Sequence, residues 1–317
     1  MTDYSNYTLF GVQDVVTRKT WAGWLILVMM TSIIGDSTIL IASIHYKAFK
    51  LHSTLVVFIE HIAASDLILC VFSLFSSITS LIANKWVFGL HLCTIRVFMC
   101  YFAFLAGILF ICAVTICKVL LLKYPDKTRY LSRKEAQAVC AGIWLFSLLI
   151  SATFLSFGRK GILFDYRIYT CEFSFANHLT WLVIGSNVMF ILFPNLSIIF
   201  CTTILVKHLL EAKKVAKRCG GTAPVQGIIT VILTATIYSI STMPYTVFHF
   251  LQDSIGGSDS VVITFYRIAW TFLWFGITSN VFIYSVTVRS FRRFLRSRVN
   301  QVAPFLSSLH SDTTDGI

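Results

Sequence analysis

Apolar residues gather in seven runs, roughly 21–45, 54–82, 91–123, 136–157, 175–206, 226–251 and 261–288. Each run reaches the ~20 residues that a helix needs to cross a bilayer. The polar connections are short, and no internal repeat, low-complexity segment or second domain interrupts them. The pattern predicts an all-α membrane protein built as a seven-transmembrane helix bundle. Residues 1–20 form a polar head, 21–288 the bundle, 289–298 a short amphipathic helix and 299–317 a tail.

Composition supports this reading. The 317 residues are 56% hydrophobic and 13% charged, with 28 Phe and 5 Pro; soluble domains are about a quarter charged. No cleavable signal peptide is evident, because the first residues are polar and the first apolar run is long enough to span. The net charge of +12 raises the question of nucleic acid, but its placement answers otherwise. Of the 26 Lys and Arg, 18 fall in the first, second and third loops of one side and in the tail. By the positive-inside rule that side is cytosolic, which leaves the N-terminus outside. No nucleic-acid partner is expected. Arg289 to Arg298 reads as a basic amphipathic helix on anionic lipid.

Asn6-Tyr7-Thr8 is a glycosylation acceptor on the outer head, whereas Asn195-Leu196-Ser197 lies inside the fifth span, beyond reach of glycosylation. The nine cysteines include no Cys-x-x-Cys spacing, so neither a disulfide scaffold nor a metal site is indicated. Most sit in apolar runs as small buried hydrophobes. Cys93, at the outer start of the third span, and Cys171, in the loop before the fifth, face an oxidising compartment and are expected to bridge.

Ionisable residues inside spans are functional candidates by default. They are Asp36, Glu60, His61, Asp66 and Lys118. If Asp36 faces Asp66, two carboxylates share a dry site, and both stay charged only around a cation such as Na⁺. Asn280 is the third candidate partner. Glu60 and His61 lie nearer the cytosol, and snorkelling toward water is the alternative role for both.

Taken together, the residues resemble the rhodopsin-like (class A) G-protein-coupled receptors. The marks are Gly35-Asp36, Ile62-Ala-Ala-Ser-Asp66, Trp86-x-Phe-Gly89-x-x-x-Cys93, Trp144, Pro194, Pro244 and Asn280-Val-Phe-Ile-Tyr284, followed by Phe291-Arg292. They cover about residues 20 to 298, in order. The resemblance implies a receptor that binds an extracellular small molecule or peptide and activates a heterotrimeric G protein through a cytosolic cleft. That cleft opens as the sixth span retracts about Pro244. Tail residues Ser307, Ser308, Ser311, Thr313 and Thr314 are candidate phosphorylation sites for an arrestin-like partner.

The departures are specific. Cys117-Lys118-Val119 replaces Asp-Arg-Tyr, so the charge stays but the planar guanidinium fork is lost. No acid stands at 220–226 to hold it. Ser241-Thr242-Met243-Pro244 lacks the family's tryptophan, Thr202 replaces a tyrosine, and Gly107 and Gly276 replace polar partners of the sodium site.

Mapped by resemblance, the ligand cup contains Arg96, Cys100, Tyr101, Phe104, Ser186, Asn187, Tyr245, His249, Arg267, Trp270 and Trp274. Cys100 occupies the position of the aminergic aspartate, which disfavours a monoamine, and the seventh span has no lysine for a retinal Schiff base. The expected ligand is apolar or aromatic with an anionic group, or a peptide with a free carboxylate, paired to Arg96 or Arg267. The competing role for both arginines is snorkelling to outer headgroups. An alternative function is a seven-span ligand-binding protein with weak or no coupling, a decoy or scaffold, favoured by Cys117-Lys118-Val119. A transporter is disfavoured by the lack of repeats and broken helices. Nucleophile–base and metal-ligand spacings are absent, so an enzyme is not expected.

Overall fold

The computed structural model describes residues 15–45, 54–124, 132–158, 161–165, 169–173, 185, 188–218, 226–255, 260–289 and 291–297. Among the described residues, seven helices are long and apolar enough to cross a membrane. They are α1 (Val15–His45), α2 (Thr54–Ala83), α3 (Gly89–Lys123), α4 (Arg133–Gly158), α5 (Phe193–Arg218), α6 (Gln226–Ile255) and α7 (Ser260–Thr287). A short α8 follows at 291–297. It is amphipathic as expected, with Phe291 and Phe294 buried and Arg293 and Arg296 exposed.

Side chains pack in three buried clusters. One fills the half of the bundle nearer α8, around Phe58, Ile62, Phe110, Leu205 and Tyr284. A second, around Leu25, Leu74, Tyr266, Trp270 and Trp274, fills the other half. A small third cluster surrounds Cys93, Val97, Ile162 and Cys171. Large exposed apolar side chains such as Ile34, Phe193 and Phe200 need no aqueous explanation, because a spanning bundle turns them to lipid.

Helices close in where side chains are small. A Cβ on Gly35 would lie 2.3 Å from Val281 Cγ1, so α1 and α7 touch there without side-chain spacing. A Cβ on Gly276 would lie 2.4 Å from Ser241 Cβ, drawing α7 onto α6 just before Pro244. Gly107, which replaces a polar group, instead leaves room for Ser65.

Several elements differ from the sequence expectation. The chain is not wholly helical outside the bundle. Antiparallel strands β1 (Ile162–Asp165) and β2 (Thr170–Phe173) form a hairpin, pairing Leu163 with Glu172 and Asp165 with Thr170. Four-residue strands within a loop carry too little alternation to be seen in a hydropathy pattern. α1 begins at Val15, inside the predicted head, and α5 continues to Arg218, beyond the predicted limit of its span. Lys207, Lys213 and Lys214 favour helix as strongly as apolar residues do, so hydropathy loses the helix before propensity does.

Among the described residues, two π-helical turns interrupt the regular pattern, Cys70–Leu74 within α2 and Val188–Leu192 before α5. Pro194, which lacks a backbone N–H, follows the second, and the side-chain amide of Asn195 donates to the Ile191 carbonyl at 3.0 Å.

Glu60 and His61 do not snorkel. Glu60 pairs with Arg133 at 3.2 Å, and Trp144 Nε1 donates to His61 Nδ1 at 3.1 Å. Both contacts join α2 to α4. At the start of α4, Ser132 and Glu135 exchange side-chain-to-backbone hydrogen bonds of 2.7 and 3.2 Å, a capping box.

Candidate functional site

The outer site is built around α3. Its entrance turn is held locally: Gly89 takes φ +74°, and Trp86 Nε1 donates to the Gly89 carbonyl at 2.7 Å. Cys93 and Cys171 are disulfide-bonded, which ties β2 to the first turn of α3. One turn deeper, Arg96 is buried rather than directed to headgroups. Its Nη1 donates to the Cys171 carbonyl and its Nη2 to Ser73 Oγ at 2.7 Å. Ser73 belongs to the π turn of α2, which is the element that turns it towards α3. Glu172 completes the contact at 3.8 Å from Arg96 Nη1.

Cys100 and Tyr101 both lie within electrostatic reach of Arg96 and Glu172. Tyr245 of α6 does too, and its ring stacks on Tyr266 of α7 at 5.9 Å. Phe104 packs against the cluster that contains Trp270 and Trp274. Those two tryptophans are core rather than open wall, each 2% exposed and meeting edge to face at 5.5 Å. Arg267 lies over the Trp21 ring at 5.9 Å and within electrostatic reach of Asp165. The structure therefore brings Arg96, Cys100, Tyr101 and Tyr245 together, and sets Arg267 apart beside α1. Ser186 and Asn187 lie outside the described residues, as do the side chain of His249, Asn6 and the tail serines and threonines. Sequence reasoning missed Ser73, Asp165 and Glu172, whose meaning depends on the hairpin's placement.

The middle of the bundle holds the intramembrane polar group. Asn280 Nδ2 donates to Asp66 Oδ2 at 3.0 Å, joining α7 to α2. Ser32 and Thr278 hydroxyls meet at 3.0 Å, joining α1 to α7. Asp36 is 0% exposed and within electrostatic reach of Asp66. Neither of its carboxylate oxygens has a hydrogen-bond partner among the described residues, and Asn280 Oδ1 has none either. Two carboxylates and a spare amide oxygen are oxygen donors of the kind that hard cations take. Asp36, Asp66 and Asn280 are the residues that would hold Na⁺.

The inner end differs from the family pattern in geometry as in sequence. Cys117 and Val119 pack against the inner core, and Lys118 is half-buried between α3 and its neighbours. A Cβ on Gly227 of α6 would lie 3.8 Å from Lys118 Nζ and 3.9 Å from Leu55 Cδ2. No carboxylate among the described residues forms an ion pair with Lys118. The Tyr284 hydroxyl and Thr234 Oγ1 are both buried and lie near each other, bringing α7 to α6. Above them Pro244 lies inside the continuous α6, and the Thr242 hydroxyl lies 2.9 Å from the Tyr238 carbonyl and 3.3 Å from Asn195 Oδ1. Asn195 thus serves both the α5 π turn and the contact beside the α6 proline, a role the glycosylation-like triplet conceals.

Seven spans, the bridged loop and this inner end define a class, and comparison with known proteins agrees. The model of the seven-transmembrane receptors of the rhodopsin family matches residues 37–284, and the chain belongs to that family. It is a multi-pass protein of the plasma membrane. Human cysteinyl leukotriene receptor 1 is 26% identical over 271 residues, 81% of this chain and 78% of that receptor. Rat type-1 angiotensin II receptor B is 25% identical over 231 residues, 71% of this chain and 63% of that receptor. The human type-1 angiotensin II receptor is 24% identical over 298 residues, 90% and 82% of the two chains. These relatives are receptors, not enzymes.

Proposed function

We propose that the chain is a signalling receptor, with its N-terminus outside, that binds an extracellular small molecule or peptide in the outer half of the bundle. It passes that binding to a heterotrimeric G protein through the inner cleft between α3, α6 and α7. The relatives are named for a cysteinyl leukotriene and for angiotensin II, two different ligands, so their names select none here. A monoamine remains disfavoured by Cys100. The cup's aromatic surround suits an apolar or aromatic ligand.

The observation that carries this reading is the approach of Lys118 Nζ to Gly227 of α6, with no carboxylate paired to it among the described residues. A family member whose α3 and α6 are not held by an ion pair has lost part of the bias towards its resting state. Retraction of α6 about Pro244 then separates Gly227 from Lys118 without breaking an ion pair among the described residues. The exposed cleft would contain Lys118, Tyr284 and the loop after Tyr124, and a partner's helix would dock there. The basic face of α8 suits anionic lipid beside that cleft.

The missing lock can be installed. In Gly227→Asp the new carboxylate lies within ion-pair reach of Lys118, whereas Gly227→Asn matches it in size without the charge. G-protein nucleotide exchange by the reconstituted receptor is expected to fall several-fold in Gly227→Asp and to change little in Gly227→Asn. Equal exchange by all three proteins, indistinguishable from receptor-free membranes, would remove the support for coupling.

A further inference from the structure

We propose that Asp36, Asp66 and Asn280 form a site for a divalent cation of the calcium type, and that Asp36 is the residue that sets the charge of the ion. The same residues would hold Na⁺, but the second acid changes which ion they hold best. Neither the outer ligand nor G-protein coupling enters this reading.

The two acids come from different helices and meet no counter-charge. Asp36 of α1 is 0% exposed and Asp66 of α2 is 4% exposed, and the two lie within electrostatic reach of each other. Among the described residues no Lys, Arg or His forms an ion pair with either. Helix α1 is drawn to α7 where Gly35 meets Val281, a contact that leaves no room for a Cβ. Asp36 follows Gly35 and Asn280 precedes Val281, so both stand beside that closest approach. Asn280 in turn donates from Nδ2 to Asp66 Oδ2 at 3.0 Å, which brings in α2. Both oxygens of Asp36 and the Oδ1 of Asn280 are buried with no hydrogen-bond partner among the described residues. Buried acceptors left without a donor are costly, and a cation satisfies them together.

Charge decides the kind of ion. Two ionised carboxylates carry two negative charges, so Na⁺ leaves one uncompensated in an apolar interior and a divalent ion leaves none. Doubling the charge on the ion also doubles its attraction to each ligand at the same distance. Coordination points the same way. Calcium takes carboxylates through one or both oxygens, Asn carbonyls and waters, in a flexible geometry. Magnesium demands near-ideal octahedral geometry and gives up its waters reluctantly, which suits a pocket shared by three helices less well. A route to the pair runs along α2. Cys70, Ser73, Ser77 and Ser80, all buried, follow Asp66 towards the hairpin end of that helix. The positive-inside rule places that end outside, where calcium modules work at about 10⁻⁴–10⁻³ M.

The experiment melts purified, chelator-treated receptor in a large organic cation buffer, across separate calcium chloride and sodium chloride series at matched ionic strength. Wild type is expected to reach half of its calcium-induced rise in melting temperature at a concentration about tenfold or more below the sodium midpoint. Asp36→Asn keeps the shape and removes one charge, and is expected to shrink that gap by about threefold or more. Asp36→Asn/Asp66→Asn is the blank for calcium taken up by surface carboxylates. Terbium, which shares calcium's oxygen ligands, gives a second readout through Tyr238 and Tyr284, both within electrostatic reach of Asp66. Its tyrosine-sensitised luminescence is expected in wild type and is expected to fall as calcium displaces it. Should Asp36→Asn fail to fold, that displacement and the wild-type midpoints carry the test. A calcium midpoint less than about tenfold below that of sodium, or a gap that Asp36→Asn shrinks by less than about threefold, would overturn the proposal. So would a wild-type terbium signal that calcium does not displace. Both readouts are made without ligand or G protein, so their failure stays separate from any failure of signalling.

Discussion

Cys93→Ser/Cys171→Ser receptor is expected to reach the cell surface at roughly a tenth of the wild-type level and to melt well below it. The bridge spans 78 residues of sequence, and a cross-link of that length restricts the unfolded chain by about 4 kcal/mol. In a membrane this is an upper figure, because the helices between the two cysteines stay anchored when packing is lost. A second loss adds to the first. Cys171 positions its own carbonyl on Arg96 and the adjacent Glu172 beside the guanidinium. Without the bond, Arg96 becomes a buried cation whose acceptors are free to leave, and uncompensated buried charge is costly. The double variant is preferable to either single one, since it leaves no unpaired thiol to mispair. Surface immunolabelling and thermal unfolding of purified receptor measure the two effects, and wild-type values in both would contradict this role for the bridge.

Sodium is expected to raise the melting temperature of wild-type receptor by several degrees, and Asp36→Asn to remove at least half of that rise. Asp36 is fully buried, both of its oxygens lack partners among the described residues, and Asp66 is within electrostatic reach. Two like charges in a low-dielectric interior repel strongly, and a cation between them converts that repulsion into attraction. Asp66 already accepts from Asn280 Nδ2, which leaves Asn280 Oδ1 as a spare ligand. Asp36→Asn keeps the shape and removes one charge. In buffer containing only a large organic cation it is expected to be about as stable as wild type, because one carboxylate of the wild-type pair then keeps a proton. Asp66→Asn is expected to abolish the sodium effect altogether. Melting curves of the three proteins across a sodium series give the comparison. An identical sodium shift in wild type and Asp36→Asn would exclude Asp36 from the cation's ligands.

The spans were legible because a bilayer sets both length and polarity. Runs such as 91–123 leave few alternatives, and α3 was found at Gly89–Lys123. The outer cysteine pair was legible because only Cys93 and Cys171 combined an outer location with proximity to a span end. Arg96 was harder. A cation near a helix mouth reads equally as a snorkelling group, a ligand contact or half of an internal pair. Glu172, 76 residues away, decides the matter, and its position depends on a hairpin too short to show in hydropathy. Ser73 was hidden for a related reason: a π turn adds one residue to a turn and rotates everything after it, without altering composition. Asn195 was read for its triplet. Its contacts to Ile191 and near Thr242 follow from the proline beside it and from how α6 packs.

The inner end remains the place where this chain departs most from its family, with Lys118 beside Gly227 in place of an arginine held by an acid. The most direct measurement reads basal G-protein dissociation, cAMP and inositol phosphate in cells expressing wild-type receptor or Lys118→Ala at matched surface levels. A coupling receptor without its resting lock is expected to give a basal signal in one channel, and Lys118→Ala to reduce it to the level of untransfected cells. Silence of the wild type in every channel, with surface expression confirmed, would contradict the coupling account and leave a seven-span protein that binds ligand without transmitting it.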